Sequence, residues 1–203
     1  IGAIDVLINN AGYGHEGLME ESTLDDLIAQ FNVNVFGAVA VTKAVLPYMR
    51  QRRHGRIINI TSMGGITTFA GLSYYHGSKF ALEGLSEALA KEVKHLGIHV
   101  TAVEPGGFRT DWAGRSMVRA PRSIPEYDAL MNPLRERRQR MSGHQPGDPA
   151  KAAAAILALV QASDPPAHLL LGSDALRLVQ EKFTALRAEI DAWEHVTLST
   201  DFE

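Results

Sequence analysis

Short apolar runs alternate along the chain with longer stretches in which apolar residues recur every three or four positions. The runs of strand length predict four strands: Val6–Asn9, Arg56–Thr61, Ile98–Val103 and His168–Leu171. Nearly continuous apolar strands separated by amphipathic helices are typical of a parallel sheet covered on both faces. The pattern therefore predicts an α/β fold with a doubly wound parallel sheet in three αβα layers.

The stretches between these strands carry helix start and stop signals. They predict four helices: Thr23–Arg50, Ser73–Leu96, Ala150–Gln161 and Asp174 to about Trp193. The Thr23 hydroxyl can cap the first helix, and Gly97 stands where a left-handed residue ends the second. Asp148-Pro149 has the form of an N-cap followed by a first-turn proline. Pro47 is expected to kink or end the first helix, because proline lacks a backbone donor.

One long connection, Gly106–Gly147, interrupts the alternation of strands and helices. Connections of this length in compact domains are usually functional lids or disordered. Its apolar side chains, among them Trp112 and Met131, favour short helices folded over a substrate, so we interpret residues 106–147 as a substrate lid. Its arginine-rich segment, Arg135–Arg140, is expected to be a solvated helix face. Attraction of an anionic substrate or a cofactor phosphate is the alternative.

Composition narrows the classes of function. With 203 residues, of which 45% are hydrophobic, residues 1–203 are interpreted as a single domain. The net charge is −3 and both signs are interspersed, so the sequence lacks the general positive charge that favours binding to nucleic acid or to an anionic membrane. We expect no membrane segment, because no apolar run reaches spanning length, and no signal peptide. The absence of cysteine rules out disulfides and thiolate metal sites, and it suits a cytoplasmic protein. His95 and His99 are not expected to bind a metal, because Gly97 between them ends the helix.

Three residues carry the clearest chemical signal in the sequence: Ser62, Tyr75 and Lys79. Tyr75 and Lys79 are four apart in a predicted helix, so both side chains project from one face. An ammonium beside a phenol lowers the phenol pKa toward the range of acid–base catalysis, and a serine hydroxyl can bind a carbonyl oxygen. The trio therefore indicates carbonyl/alcohol redox chemistry, although Tyr75 and Lys79 alone would suit a surface helical pair.

Further motifs surround this trio at regular places in the predicted fold. They are Asn9-Asn10-Ala11-Gly12 after the first strand, Asn34-Val35-Phe36-Gly37 inside the next helix, Ser62 at the end of the second strand, and Pro105-Gly106 with Thr110 after the third. In this order and spacing the chain resembles the short-chain dehydrogenase/reductase family, from Ile4 to about Thr110. The resemblance implies a Rossmann-like fold that lacks the first strands of the family.

The resemblance implies a role for each of four catalytic residues. Tyr75 would be the general acid–base, and Ser62 would hydrogen-bond the same substrate oxygen. Lys79 would lower the pKa of Tyr75 and bind the nicotinamide ribose, and Asn34 would hold a water that links Lys79 to solvent. The cofactor, NAD or NADP, would supply the hydride. The residues implied to contact it are Asn9, Ala11, Gly12, Tyr75, Lys79, Pro105, Gly106, Phe108 and Thr110.

Gly12-Tyr13-Gly14-His15-Glu16-Gly17 matches the glycine pattern of a dinucleotide phosphate loop. That loop needs a helix that opens at its third glycine, whereas the helix signal here begins at Thr23. We therefore interpret Gly12–Gly17 as a flexible loop at the mouth of the site. The family's own phosphate motif has no counterpart here and the sequence starts at Ile1. We expect an excerpt of a longer chain rather than a truncated protein, and weak binding of nicotinamide dinucleotides by these residues alone.

The sequence predicts an NAD(P)-dependent oxidoreductase that interconverts a ketone and a secondary alcohol. A nicotinamide-dependent epimerase or dehydratase of the related extended family is one alternative, against which Pro105-Gly106 and Thr110 argue. A degenerate member that binds without catalysis is the other, against which the intact Tyr75 and Lys79 argue.

The expected partners are a small-molecule carbonyl or alcohol substrate and further copies of the chain. The resemblance implies a homodimer or homotetramer that forms through Thr23–Arg50 and Ser73–Leu96. The apolar residues expected on the outward faces of these helices are Val41, Val45, Phe80 and Leu82.

Overall fold

A computed structural model describes residues 3–202 of the chain. Within these residues the strands are β1 (Val6–Asn9), β2 (Gly14–Glu16), β3 (Gly55–Ile60), β4 (Ile98–Pro105), β5 (Met117–Arg119) and β6 (His168–Leu171). The α-helices are α1 (Leu24–Phe31), α2 (Ala38–Arg52), α3 (Ser73–Val93), α4 (Asp128–Met141), α5 (Pro149–Gln161), α6 (Ser173–Ala192) and α7 (Glu194–Leu198). The four predicted strands are confirmed, with β3 shifted by one residue and β4 extended to Pro105.

The main sheet has the order β1-β3-β4-β6, and all of its neighbouring strands are parallel. Adjacent residues of β3 point to opposite faces, as the pleat of a strand requires. Ile57 packs with Met49 of α2 and Val93 of α3 on one face. Ile58 packs with Leu159 of α5 on the other. Helices therefore cover both faces, and the predicted three-layer, Rossmann-like fold is confirmed.

The first long helix runs without a break from Leu24 to Arg52, but it contains a π-helical turn at Asn32–Gly37. Thr23 and Asp26 form the capping box at its start. Pro47 lies inside the helix, which continues to Arg52, so of the two expected outcomes, a kink or an end, the end does not occur. The core residues on either side of the proline, Val45 and Met49, pack against the sheet, and this packing stabilises the turn despite the missing donor.

By length and composition, the helix Leu24–Arg52 is also long and apolar enough to cross a membrane. The expectation that no stretch of the chain reaches that length is therefore wrong. Two of its polar side chains, Gln30 and Asn34, are buried and donate hydrogen bonds to the Tyr13 carbonyl at 2.9 and 3.1 Å. These contacts attach the helix to the loop after β1.

The other helices begin and end where the capping residues predict. After α3, a 3₁₀ turn at Lys94–Leu96 ends at Gly97, whose φ of 69° is left-handed. Asp148 caps α5 by accepting a hydrogen bond from the Ala150 N–H at 2.9 Å. The last predicted helix is α6, which begins at Ser173, one residue before the predicted start.

The long connection after β4 is structured, with β5, α4 and two short 3₁₀ turns. β5 pairs in parallel with β2, which joins Gly14 to Met117 and Glu16 to Arg119. The interpretation of Gly12–Gly17 as a flexible loop is therefore wrong, since its centre is a buried strand. No helix opens at Gly17, because α1 begins only at Leu24.

Candidate active site

A cavity of about 1040 Å³ opens at the carboxyl ends of β1, β3 and β4, beneath the long connection. This end of an open parallel sheet is where α/β proteins bind their ligands. Most of the residues predicted for the site line it: Gly12, Ser62, Tyr75, Lys79, Pro105, Gly106, Phe108 and Thr110. The predicted residues outside the lining, among those the structure describes, are Asn9, Ala11 and Asn34.

Ser62 follows β3 and caps the 3₁₀ turn Met63–Gly65, where its Oγ accepts a hydrogen bond from the Gly64 N–H at 2.9 Å. The turn aims the Ser62 hydroxyl at Tyr75, in the first turn of α3. The strand and the helix are both held by the core. The two hydroxyls therefore meet on rigid elements rather than on loops.

Burial raises the pKa of Tyr75 to about 12, and the hydrogen bond with Ser62 opposes that rise. Lys79 Nζ lies 5.9 Å from the centre of the Tyr75 ring and donates to the Ile60 carbonyl at 2.9 Å. Burial lowers the pKa of Lys79 to about 8, and the Glu83 carboxylate opposes that fall. The pKa of Tyr75 is therefore raised, not lowered as expected, because desolvation of the buried phenol outweighs the effects that favour its charged form.

Asn34 lies in the π-helical turn and is almost fully buried. Its Oδ1 accepts from the Tyr13 N–H at 3.1 Å, and its Nδ2 donates to the Tyr13 carbonyl and to Ser78 Oγ. A Cβ at Gly12 would lie 3.1 Å from Asn34 Oδ1 and 3.6 Å from Lys79 Nζ. Asn34 therefore fixes the position of Tyr13 in the loop after β1. The absence of a side chain at Gly12 leaves space between the Asn34 side-chain amide and Lys79.

The side chain of Asn9 has a structural role at the end of β1. Its Nδ2 donates to Asn59 Oδ1 at 2.7 Å and to Thr42 Oγ1 at 3.0 Å. Asn59 in turn donates to Ser86 Oγ of α3 at 2.8 Å. This chain of amides ties β1 to β3, α2 and α3, and it fixes where the loop after β1 begins.

Sequence reasoning missed Asp174 as a site residue and interpreted it only as the start of the last helix. Its Oδ2 accepts a hydrogen bond from the Gly107 N–H at 2.7 Å, while Oδ1 is buried with no hydrogen-bond partner among the described residues. A Cβ at Gly106 would collide with this carboxylate. Asp174 therefore fixes the loop after β4 at the cavity, and its place in a first helical turn beside Gly172 was the available signal.

His76, the neighbour of Tyr75, was also missed. It is 3% exposed, its Nδ1 lies 2.7 Å from the Gly64 carbonyl oxygen, and its Nε2 accepts from the Phe69 N–H at 2.9 Å. The bond from Phe69 requires an unprotonated Nε2, so the ring is neutral and Nδ1–H donates to Gly64. Burial lowers the pKa of His76, which favours this neutral form.

Residues of the long connection form part of the cavity wall. The Trp112 ring lies 5.0 Å from the Tyr75 ring between centroids. Arg138 donates to Glu16 Oε1 at 2.6 Å, and Arg119 pairs with Glu16 Oε2 at 3.2 Å. Glu16 is buried, so the expectation of a wholly solvated arginine face is wrong at Arg138. Ion pairs fasten the connection to β2.

A third group that sequence reasoning missed lies behind Lys79. Glu83 of α3, Glu104 of β4 and His168 of β6 bring their nitrogen and oxygen atoms within 4.8 Å of one another. The two glutamates are buried, and His168 reaches the surface. The three residues are far apart in the sequence. The pairing of β4 with β6 and the packing of α3 on β4 bring them together.

Comparisons with known proteins agree with this geometry. The family model of the short chain dehydrogenases matches residues 1–118. Oxidoreductase BOA17 of Botryotinia fuckeliana is 40% identical over 98% of this chain and 72% of its own length. A short-chain dehydrogenase structure from Streptomyces avermitilis is 43% identical, with a TM-score of 0.90 over 98% of this chain and 73% of that one.

A second solved structure bears on the cofactor. It is a gluconate 5-dehydrogenase from Burkholderia cenocepacia in complex with NADP and tartrate, 32% identical with a TM-score of 0.55. The alignment covers 56% of this chain and 45% of that one. The chain therefore belongs to the short-chain dehydrogenase family and is an oxidoreductase that uses NAD or NADP.

Proposed function

We propose that the protein interconverts a ketone and a secondary alcohol, with Tyr75 as the general acid–base. The observation that carries the proposal is the convergence of Tyr75, Ser62 and Lys79 on one cavity at the carboxyl end of the sheet. In the direction of reduction, the Tyr75 hydroxyl gives its proton to the carbonyl oxygen, and Ser62 hydrogen-bonds the same oxygen. In oxidation, Tyr75 takes the proton back.

The raised pKa of Tyr75 fits a proton donor better than a base. A buried phenol with a pKa of about 12 stays protonated at neutral pH, so it is ready to donate to a developing alkoxide. Lys79, which is 6% exposed, then stabilises the tyrosinate that remains. Removal of water from the site strengthens this interaction, because fewer solvent dipoles screen it.

The cofactor would supply the hydride, and the residues of the cavity fit its nicotinamide end. Gly12 gives close approach beside Lys79, and the buried Oδ1 of Asp174 is an unused acceptor behind Gly106. Of the residues predicted for the cofactor, we assign those that line the cavity to direct contact: Gly12, Tyr75, Lys79, Pro105, Gly106, Phe108 and Thr110. Asn9, Ala11 and Asn34 act by shaping the loop after β1.

The substrate is proposed to be an apolar ketone or alcohol, and residues 106–147 are proposed to be its lid. The cavity wall around Tyr75 is rich in apolar side chains: Met63, Phe69, Leu72, Trp112, Met117, Met141, Ile156 and Leu157. Among the charged residues of the wall, Arg119 and Arg138 both pair with Glu16.

We further propose that the chain works in the cytoplasm as a homodimer or homotetramer. Val41 and Phe80, on the helices expected to form the interface, are 47% and 42% exposed. The same expectation is wrong for Val45 and Leu82, which are buried in the protein's own core. Light scattering tests the proposal, and a monomer at working concentration would contradict it.

The proposed activity is tested by following the oxidation of NADH and NADPH with a panel of apolar ketones. Turnover to a secondary alcohol, identified by chromatography, is the expected result. An epimerase or dehydratase would change the substrate without net oxidation of the reduced cofactor. A binding protein that has lost catalysis would change neither.

A further inference from the structure

Two carboxyl groups share a small buried space behind Lys79. Glu104 is 1% exposed and Glu83 is 7% exposed. His168 Nδ1 lies 2.8 Å from Glu104 Oε1 and 3.5 Å from Glu83 Oε2, and the side chain of His168 is 44% exposed. The group therefore has one end in the core and the other in solvent.

Glu83 has no hydrogen-bond partner for either of its oxygens among the residues that the structure describes. The Thr61 hydroxyl lies near it but donates its proton to the Val103 carbonyl at 2.8 Å. A buried carboxylate without donors is costly, and two adjacent carboxylates cannot both ionise cheaply. A proton shared between Glu83 and Glu104 gives Glu83 a hydrogen-bond partner, and it leaves the pair with one negative charge instead of two.

The turn that carries Ser62 covers this group. A Cβ at Gly65 would lie 2.7 Å from Glu83 Cγ and 3.1 Å from the Lys79 carbonyl oxygen. Glu83 follows Lys79 by one helical turn, so the two side chains are neighbours on the sheet-facing side of α3. The charge of Glu83 therefore acts on the Lys79 ammonium, although Glu83 itself does not line the cavity.

We propose that Glu83 and Glu104 share one proton near neutral pH, and that its release places a negative charge beside Lys79 that keeps the ammonium protonated. Glu83 is a positioning residue in this account, since it acts on the reaction only through Lys79. The link to catalysis rests on the function proposed above for Lys79. The shared proton does not depend on that function.

The groups around Glu83 determine how the pair titrates. Lys79 and Glu87 lie one turn before and one turn after it on α3, Glu104 faces it from β4, and His168 faces it from β6. Burial raises the pKa of Glu83 to about 7; the Glu104 charge raises it further, and His168 opposes the rise. Burial raises the pKa of Glu104 too, against the hydrogen bond from His168.

Infrared difference spectroscopy tests the shared proton directly and without any activity measurement. The wild-type protein should show the carbonyl band of a protonated carboxylic acid at about pH 6, where exposed carboxyls are ionised. The band should disappear as the pH rises, and it should be missing from Glu83→Gln and from Glu104→Gln. Absence of the band from the wild-type protein, or its persistence in both variants, would overturn the proposal.

The kinetic test uses Glu83→Gln with Glu87→Gln as the matched control, because Glu87 is exposed and pairs with Lys91. Loss of the Glu83 charge should move the alkaline limb of kcat/KM to lower pH by about one unit. Glu87→Gln should leave it in place. Equal pH profiles of kcat/KM for Glu83→Gln and the wild-type protein would show that Glu83 does not act on Lys79, even if the infrared band were present.

A bound metal ion is the competing explanation, because two carboxylates and an imidazole are also a ligand set. Thermal unfolding with added Zn²⁺ or Mn²⁺ separates the two. If either ion raises the Tm of the wild-type protein but not that of Glu83→Gln, the group binds metal and the shared proton is wrong. If neither ion shifts Tm, an infrared band is assigned to the shared proton. That assignment holds even if Tyr75→Phe disproves the proposed reaction.

Discussion

His76 Nε2 accepts a hydrogen bond from the Phe69 N–H at 2.9 Å, which joins the residue after Tyr75 to the loop that carries the cavity wall. The same ring donates from Nδ1 to the Gly64 carbonyl, next to the Ser62 cap. One neutral imidazole therefore holds both ends of the segment between β3 and α3. Protonation of the ring would turn the acceptor into a donor and break the bond to Phe69.

This relationship predicts a loss of stability at acid pH. Burial lowers the pKa of His76 in the folded protein, so the unfolded chain binds the proton first as the pH falls. The contribution of His76 is complete above the unfolded pKa of about 6.5 and is lost as the pH falls through the lower folded value. Urea unfolding at several pH values should show a weaker pH dependence in His76→Gln than in the wild-type protein.

Exposed His54 supplies the control for His76, because His54→Gln removes an imidazole from the surface and leaves the buried one in place. At neutral pH, His76→Gln should cost about 1–3 kcal/mol, since buried backbone groups lose their partner. An equal pH dependence in His76→Gln and His54→Gln would show that the neutral ring does not hold the loop.

Asp174 should affect cofactor binding more than turnover. Asp174→Asn keeps the size of the side chain but weakens the bond from Gly107, so the loop after β4 should move in the cavity. The KM for NADH or NADPH should rise about tenfold, as expected for loss of a charge-assisted hydrogen bond. Asp191→Asn, in an exposed pair near the end of α6, is the control. Identical KM values in both variants would rule out this role.

The lid proposal predicts that Glu16 controls the mobility of the long connection. Glu16→Gln removes the charge that Arg138 and Arg119 share, so α4 should open more often. Hydrogen exchange in residues 128–141 should accelerate by about tenfold or more, since a buried charged contact contributes on the order of 1–3 kcal/mol. Glu136→Gln, in an exposed pair on α4, should show no such change. Unchanged exchange in Glu16→Gln would mean that other contacts hold the lid.

The elements of the fold were predictable because the apolar pattern has different periods in strands and helices. Caps such as Thr23 and Gly97 gave the ends of helices to within a few residues. Pro47 was misleading, because core packing on both sides of it outweighs one lost hydrogen bond. The strand at Gly14–Glu16 was not predictable, since its partner, β5, is about a hundred residues away.

In the site, too, residues in local motifs were predictable and residues brought together by the fold were not. Ser62, Tyr75 and Lys79 were found because they occur in short local motifs. Glu104 and His168, which lie beside Glu83, belong to different strands and carry no local signal. The pKa of Tyr75 was predicted in the wrong direction, because spacing reveals the neighbouring charge but not the depth of burial.

The most direct test of the central claim compares Tyr75→Phe with Tyr74→Phe. The two residues are adjacent, but Tyr74 does not line the cavity, and its hydroxyl lies 3.2 Å from the Ser22 carbonyl oxygen. Tyr75→Phe should lower kcat about 10²- to 10⁴-fold for ketone reduction, with little change in the Kd for the reduced cofactor, because only the proton donor is removed. Tyr74→Phe should keep near wild-type turnover. Near wild-type turnover in Tyr75→Phe would contradict the account.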